Sequence, residues 1–242
     1  MRRIVGLVAI TLLLGAGGCA ATQQAKSVEK SGFMDAKTYS MMVEGKKHSV
    51  LGESPEDQPL LVYKNPNINA RKYKKIQLDP VTVFVGKDSA LAKVSPEDRK
   101  MLANTLFTEF HKALSKDYEM VQEHGPDTVW IQLAITEGGE SSVVLDTISS
   151  IIPQTRMLSG MKSLATGVSA FTGAATIEGK FSDAETGELL LAAVDRRGGT
   201  KSLAGVTNSW NDVLEAYRFW AEKTRYRLCQ LRLGLNCVLP KP

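Results

Sequence analysis

The sequence predicts an α+β domain: a mostly antiparallel sheet of about five strands with two long amphipathic helices packed on it. Three observations carry this reading. Residues 95–115 and 208–232 repeat their apolar side chains at helical spacing. Residues 128–137 alternate from one face to the other. Two further strand-like runs, 174–182 and 189–195, flank a short acidic loop. Runs of strands with helices outside them give a sheet covered on one face. A mixed sheet is the second arrangement, because the first long helix can serve as a crossover between parallel strands.

The chain opens with an address. Arg2 and Arg3 precede an uncharged, mostly apolar run from Ile4 to Ala16, and Gly17-Gly18-Cys19 closes it. As a helix that run spans about 20 Å, short of the roughly 30 Å hydrocarbon core. Charge, short apolar run and small-residue cleavage site make a secretory signal. The cysteine placed directly after the small residues resembles the bacterial lipobox, with Ala16 where leucine is usual. The resemblance implies that Cys19 receives a diacylglyceryl group and becomes the first mature residue. The alternative is a plain secretory signal with an incidental cysteine. Residues 1–18 are thus expected to be a signal peptide. Residues 19–31, polar except for Val28, read as a flexible tether. Residues 32–242 read as one domain. No aspartate follows Cys19 to resemble an inner-membrane retention signal, so the expected address is the periplasmic face of the outer membrane, held by lipid.

Residues 32–59 show scattered apolar side chains without a period and read as irregular chain over the surface. Leu60–Tyr63 is a short strand stopped by Asn65-Pro66. Lys75–Val85 is rich in Ile, Leu, Val and Phe, with Pro80 inside it. Proline donates nothing to a ladder, so a bulge or an edge belongs there. Ser95-Pro96-Glu97-Asp98 is a helix start, with Ser as N-cap, Pro at the first turn and acids beside the positive end of the dipole. Leu102, Leu106, Phe110 and Leu114 then repeat every four residues. Tyr118–Gln122 is a short strand, and Gly125-Pro126-Asp127 turns the chain into the alternating strand. Gly187 supplies a positive φ between the hairpin strands. The final helix carries Trp210, Val213, Tyr217, Trp220 and Leu228 on one stripe, with charges such as Glu215, Arg218, Lys223 and Arg225 elsewhere. Such a stripe is core rather than a cofactor site.

Composition is that of a globular protein, 43% hydrophobic and 23% charged. Without Arg2 and Arg3, 28 basic residues face 26 acidic ones. That near balance argues against nucleic acid as a partner. Beyond Cys19 only Cys229 and Cys237 remain. In an oxidising compartment they either pair across residues 230–236 or stay separate thiols. Their spacing is not that of a redox CxxC motif.

No catalytic residues are assigned. The three histidines, His48, His111 and His124, lack a partner four residues on, so no zincin-type pair is present. No Gly-x-Ser-x-Gly, Walker loop or Gly-x-Gly-x-x-Gly occurs. Asp183, Glu185 and Glu188 lack the EF-hand pattern and read as an acidic turn. Asp195-Arg196-Arg197 reads as a local ion pair or as an anion site. No cofactor or metal is expected.

One segment stands apart. Residues 141–172 carry only Asp146, Arg156 and Lys162 as charges among many apolar and small residues. Met157, Leu158, Met161, Leu164 and Val168 stand out, with Met157, Met161, Leu164 and Val168 on one helical face. Three readings are open: a buried pair of helices, a surface for a partner or a second copy, or a contact with lipid.

Together, Ser31-Gly32-Phe33, Leu78-Asp79-Pro80-Val81-Thr82-Val83, the turn before the alternating strand, and Ile177-Glu178-Gly179-Lys180 with Thr186-Gly187-Glu188-Leu189-Leu190 resemble the bacterial lipoprotein family catalogued as domain of unknown function 3313. The resemblance runs over about residues 31–232. It implies a lipoprotein address and a single α/β domain, and it brings no activity or catalytic residue. The functional expectation is a non-enzymatic, lipid-anchored envelope protein that binds another envelope protein or itself. The alternative is a binding module for a lipid or a cell-wall fragment.

Overall fold

The computed structural model describes residues 22–48, 50–51, 57–85, 90–136, 144–147, 174–199, 210–234 and 237–238. Within them the fold is α+β with a mixed sheet. The strands are β1 (Thr22–Gln24), β2 (Val43–Glu44), β3 (Leu61–Lys64), β4 (Lys75–Leu78), β5 (Thr82–Val85), β6 (Glu119–Val121), β7 (Thr128–Thr136), β8 (Val144–Thr147), β9 (Ala174–Asp183) and β10 (Leu189–Gly199). The helices are α1 (Ala36–Met41), α2 (Gly45–His48), α3 (Pro96–Leu114) and α4 (Trp210–Leu233).

The sheet runs β2-β3-β10-β9-β7-β4-β6, with β1 beside β10 and β5 between β7 and β8. Its centre is the antiparallel trio β10-β9-β7. Parallel pairs join β4 and β5 to β7, and β6 to β4. The helix α3 is therefore the crossover of the mixed arrangement. Among the described residues ten strands stand where about five were expected. The additions are short pieces such as β1, β2 and β8, too brief to show a period.

Pro80 marks a bulge. Lys75 pairs with Thr128, whereas Thr82 pairs with Ala134, so one extra residue lies between β4 and β5. The insertion flips the faces: Ile76 and Leu78 point into the core before it, Val83 and Val85 after it.

The two long helices cover one face. Ser95 caps α3 by accepting from the Asp98 N–H at 3.1 Å, a contact worth about 1 kcal/mol. The predicted stripe Leu102, Leu106, Phe110 and Leu114 is buried, as are Val213, Tyr217, Trp220 and Leu228 of α4. They pack on Ile76, Val83, Ile131, Leu133 and Ile135 of the sheet. Truncating such a side chain to alanine costs about 2–5 kcal/mol. Arg225 clamps Asp117 beyond the end of α3, with its Nε 2.7 Å from the carboxylate. Lys223 departs from the expected charged face: it is buried, and its ammonium lies 3.1 Å from the Asp57 carboxylate.

The opposite face carries a second apolar layer. Met34 and Tyr39 pack with Ala192 and Val194, flanked by Phe33, Met42, Leu61 and Tyr63. Residues 32–45 were expected to be irregular surface chain; they form α1, β2 and the start of α2 instead, because Met34 and Tyr39 bury against the sheet. The expected tether is also corrected from residue 22 onward. Thr22, Gln23 and Gln24 pair with Gly199, Gly198 and Arg197, and Ser31 is buried.

Candidate functional site

The chain that leaves Cys19 is fastened to the domain by two buried carboxylates, one on each face of the sheet. The first is Asp195 of β10. It accepts from the Gln24 amide at 2.6 Å, the Trp220 indole at 2.8 Å and the Arg197 Nε at 3.0 Å. The same Gln24 amide reaches the Gln58 carbonyl at 2.7 Å. The Arg197 guanidinium stacks 3.7 Å above the Phe219 ring, a cation–π contact that helps a buried charge. The Asp195-Arg196-Arg197 run is thus an internal ion pair through Arg197. Its sequence neighbour Arg196 points to the other face.

The second carboxylate is Glu178 of β9, fully buried. Its oxygens accept from the Tyr39 hydroxyl at 2.5 Å, the Ser31 N–H at 3.1 Å and the Thr136 hydroxyl at 3.3 Å. The Tyr39 oxygen in turn accepts from the Gly32 N–H at 3.1 Å. Burial first, and then the Glu178 bond, push the Tyr39 phenol above its ordinary pKa. A buried carboxylate persists only with such donors. Here they come from three separate parts of the chain.

A third carboxylate closes the opposite end. Asp183 accepts from the backbone N–H groups of Glu185 and Thr186, both at 2.9 Å, and from the Tyr73 hydroxyl at 2.8 Å. Lys72 lies 2.5 Å from it. Burial acts to raise the Asp183 pKa, but Lys72, the Thr186 N–H, Tyr73 and the Glu185 N–H outweigh it. Together they hold the carboxyl well below the usual range. The acidic turn expected from sequence is therefore a self-capped hairpin.

The part of the second face that α1 and its flanks leave open is polar. Trp130, half-buried, donates its indole N–H to Asp79 at 2.7 Å. Gln77 donates to the other Asp79 oxygen at 3.3 Å and accepts at the His124 ring, 2.6 Å away. His124 stands edge-on to Trp130 with ring centroids 4.8 Å apart. The Pro80 bulge is next to Asp79 and helps set this group on the open face.

A cavity of about 40 Å³ lies between sheet and α4, lined by Gly179, Phe181, Ala193, Asp195, Trp220 and Arg227 among others. It has room for water, whereas small-molecule pockets run to about 300–1,000 Å³. Among the described residues no group of three His, Cys, Asp or Glu is placed to hold a metal. No helix among them is long and apolar enough to cross a membrane.

Cys229 and Cys237 are joined by a disulfide with Cα atoms 5.9 Å apart. Cys19, Met157, Leu158, Met161, Leu164 and Val168 lie outside the described residues, and of the low-charge segment only β8 is within them. Sequence reasoning gave no role to Gln24, Tyr39 or Glu178, and read Asp195 only as part of a local ion pair or an anion site. The isolated glutamate on the inner strand of a hairpin was the one visible signal.

Fold and fastenings define an α+β domain whose leading chain is built into its sheet. Residues 29–224 match the family described as a protein of unknown function (DUF3313), and the chain belongs to that family. No curated relative matches the chain in sequence. Among solved structures it is similar to two PelC dodecamers from Paraburkholderia phytofirmans, one of them a point variant. Each is 10% identical with a TM-score of 0.36, over 68% or 69% of this chain and 94% of theirs.

Proposed function

We propose that the protein is a lipid-anchored component of the bacterial envelope, held through Cys19 on the periplasmic face of the outer membrane. It acts by binding another envelope protein or a second copy of itself rather than by turnover. The observation that carries this is the fastening of the chain just after Cys19. Thr22–Gln24 form a strand, and the amide of Gln24 ends on buried Asp195. An anchor built into the sheet suits a protein whose task is to hold something at a fixed place. The buried carboxylates support the same reading, since the bonds they make are internal ones that fasten the fold.

The test is the Cys19→Ser variant. Wild type takes up labelled fatty acid and fractionates with outer membranes, and the variant does neither. Crosslinking in intact envelopes followed by pull-down then identifies the partner. A wild type that takes up no label, with a variant that still fractionates as wild type does, sinks the anchoring. A capture that contains neither a second protein nor a crosslinked copy sinks the binding role.

The second reading, a module for a cell-wall or lipid ligand, has one observation in its favour. Trp130 and His124 form a half-open aromatic corner beside the Gln77 and Asp79 side chains. Mass spectrometry of small molecules that co-purify with the folded protein separates it from the first.

A further inference from the structure

We infer that the open part of the second face is a binding site for an acidic saccharide, with Trp130 under the sugar ring and Lys180 on its carboxylate. This rests on the second reading above and names its ligand. The registers place the parts. Trp130 stands beside Ser182 and Gln132 beside Lys180, so Trp130 and Lys180 are diagonal neighbours on one face. Such neighbours lie about 7–8 Å apart, a span that one sugar ring bridges. Gln77 flanks Trp130 on the other side. Trp130, Gln132 and Lys180 are half-buried and His124 is exposed, so the group reaches the surface, and every member belongs to the described residues.

Lys180 is the cation of this site. Its ammonium lies 5.4 Å from the centroid of the Phe33 ring, and among the described residues no carboxylate stands within ion-pair distance of it. Two acids share the face. Asp79 is held by the N–H groups of Trp130, Gln77 and Gln132, and Glu178 by Tyr39, Ser31 and Thr136. The negative charge that Lys180 lacks is left for a ligand to bring, through the stronger, charge-assisted kind of hydrogen bond. His124 is oriented as an acceptor. Gln77 gives its amide nitrogen to Asp79, so its oxygen faces His124 Nδ1 at 2.6 Å, and Nδ1 must carry the hydrogen. The neutral ring then presents a bare Nε2 beside Trp130, with the ring centroids 4.8 Å apart. Gln132 keeps its carbonyl oxygen and its second N–H after its bond to Asp79. A sugar fits this set. Its C–H face complements the electron-rich face of the indole, its hydroxyls donate and accept, and a carboxylate completes Lys180. An acyl chain laid there would strip these polar groups of water and return no bond. Muramic acid of a cell wall and uronic acid of an extracellular polysaccharide share this chemistry.

The experiment titrates the purified full-length protein, in detergent, with saccharides up to about 10 mM and follows binding by ligand-observed NMR. The probes are the disaccharide of N-acetylglucosamine and N-acetylmuramic acid, digalacturonate, and neutral chitobiose. The expected result is binding of an acidic disaccharide, with chitobiose weaker by about tenfold or more. The acid that binds tighter names the source. Lys180→Met keeps the aliphatic stem and should bring the acids down to the level of chitobiose. Trp130→Ala should lose all of them. Melting temperatures are read first, and if Trp130→Ala loses its fold, Lys180→Met carries the test. No binding of either acid overturns the inference, as does a preference for the acids that survives Lys180→Met. Chitobiose bound as well as the acids overturns the acidic ligand and leaves a saccharide module standing. A co-purified lipid without saccharide binding overturns this site and leaves only the lipid arm of the second reading.

Discussion

Replacing Tyr39 by Phe should loosen the second fastening without disturbing the apolar layer around it. The hydroxyl donates to a fully buried carboxylate, Glu178, at 2.5 Å. A hydrogen bond to a charged group is worth about 1.5–3 kcal/mol. The Gly32 N–H also loses its acceptor, which water replaces at little cost because Gly32 is exposed, and the buried Met34 N–H loses a long one at 3.5 Å. The phenyl ring stays packed against Ala192 and Val194, so the packing contribution is small. The expected loss is about 2–3 kcal/mol, which in a domain of this size lowers the melting temperature by roughly 4–12 °C. Tyr63→Phe, on the same face and half-buried, is the control, with an expected change within about 0.5 kcal/mol. Urea unfolding with both variants gives the difference directly. Limited digestion with a lysine-specific protease should also cut faster at Lys30 and Lys37, since the segment between them loses its main tie. A Tyr39→Phe protein as stable as the control, with unchanged digestion, would refute the view that Glu178 holds this segment down.

Asp183 gives a pH dependence of definite sign. Its folded pKa lies below the unfolded value, so the unfolded chain binds the extra proton. Its contribution is present above about pH 4 and fades as pH falls below that value. Asp183→Asn should lower stability at neutral pH and flatten the acid limb of a stability–pH curve; an unchanged acid limb counts against the assignment. The Tyr217 hydroxyl is fully buried and has no hydrogen-bond partner among the described residues, and burial pushes its phenol far above the usual pKa. Tyr217→Phe should therefore leave stability unchanged or raise it by about 1 kcal/mol, as read from the urea midpoint. The disulfide closes a separation of eight residues, so Cys229→Ser should cost at most about 2.5 kcal/mol. Non-reducing peptide mapping of the wild type should recover the two cysteines linked.

The helices and the central strands could be read from the chain because apolar burial leaves a period. Leu102 to Leu114 and Val129 to Ile135 show it without any tertiary knowledge. The irregularity at Pro80 was legible too, as a bulge or an edge, because proline donates nothing to a ladder; that it is one inserted residue shows only in the registers on either side of it. Burial of polar chain leaves no period. Gln24 and Ser31 sit in a stretch with the composition of a tether, and what holds them is a carboxylate 171 or 147 residues away. Lys223 was read as solvated for the same reason, because its partner Asp57 lies in a segment without pattern. Tyr39 read as a stray aromatic, since its value depends on Glu178 standing opposite. The candidate site was therefore mostly illegible, being made of long-range polar pairs on a scaffold that was mostly legible.

The outer edge of β10 is sealed by two separate pieces. Leu191 to Val194 pair with β3, and Arg197 to Gly199 pair with β1. A soluble form begun after residue 31, made to dispense with the lipid, would lose the second piece. It would present a bare run of backbone donors and acceptors at that edge, an invitation for another chain to add itself. Clumping of such a form would report on the missing strand, and would be a poor guide to whether the intact protein assembles.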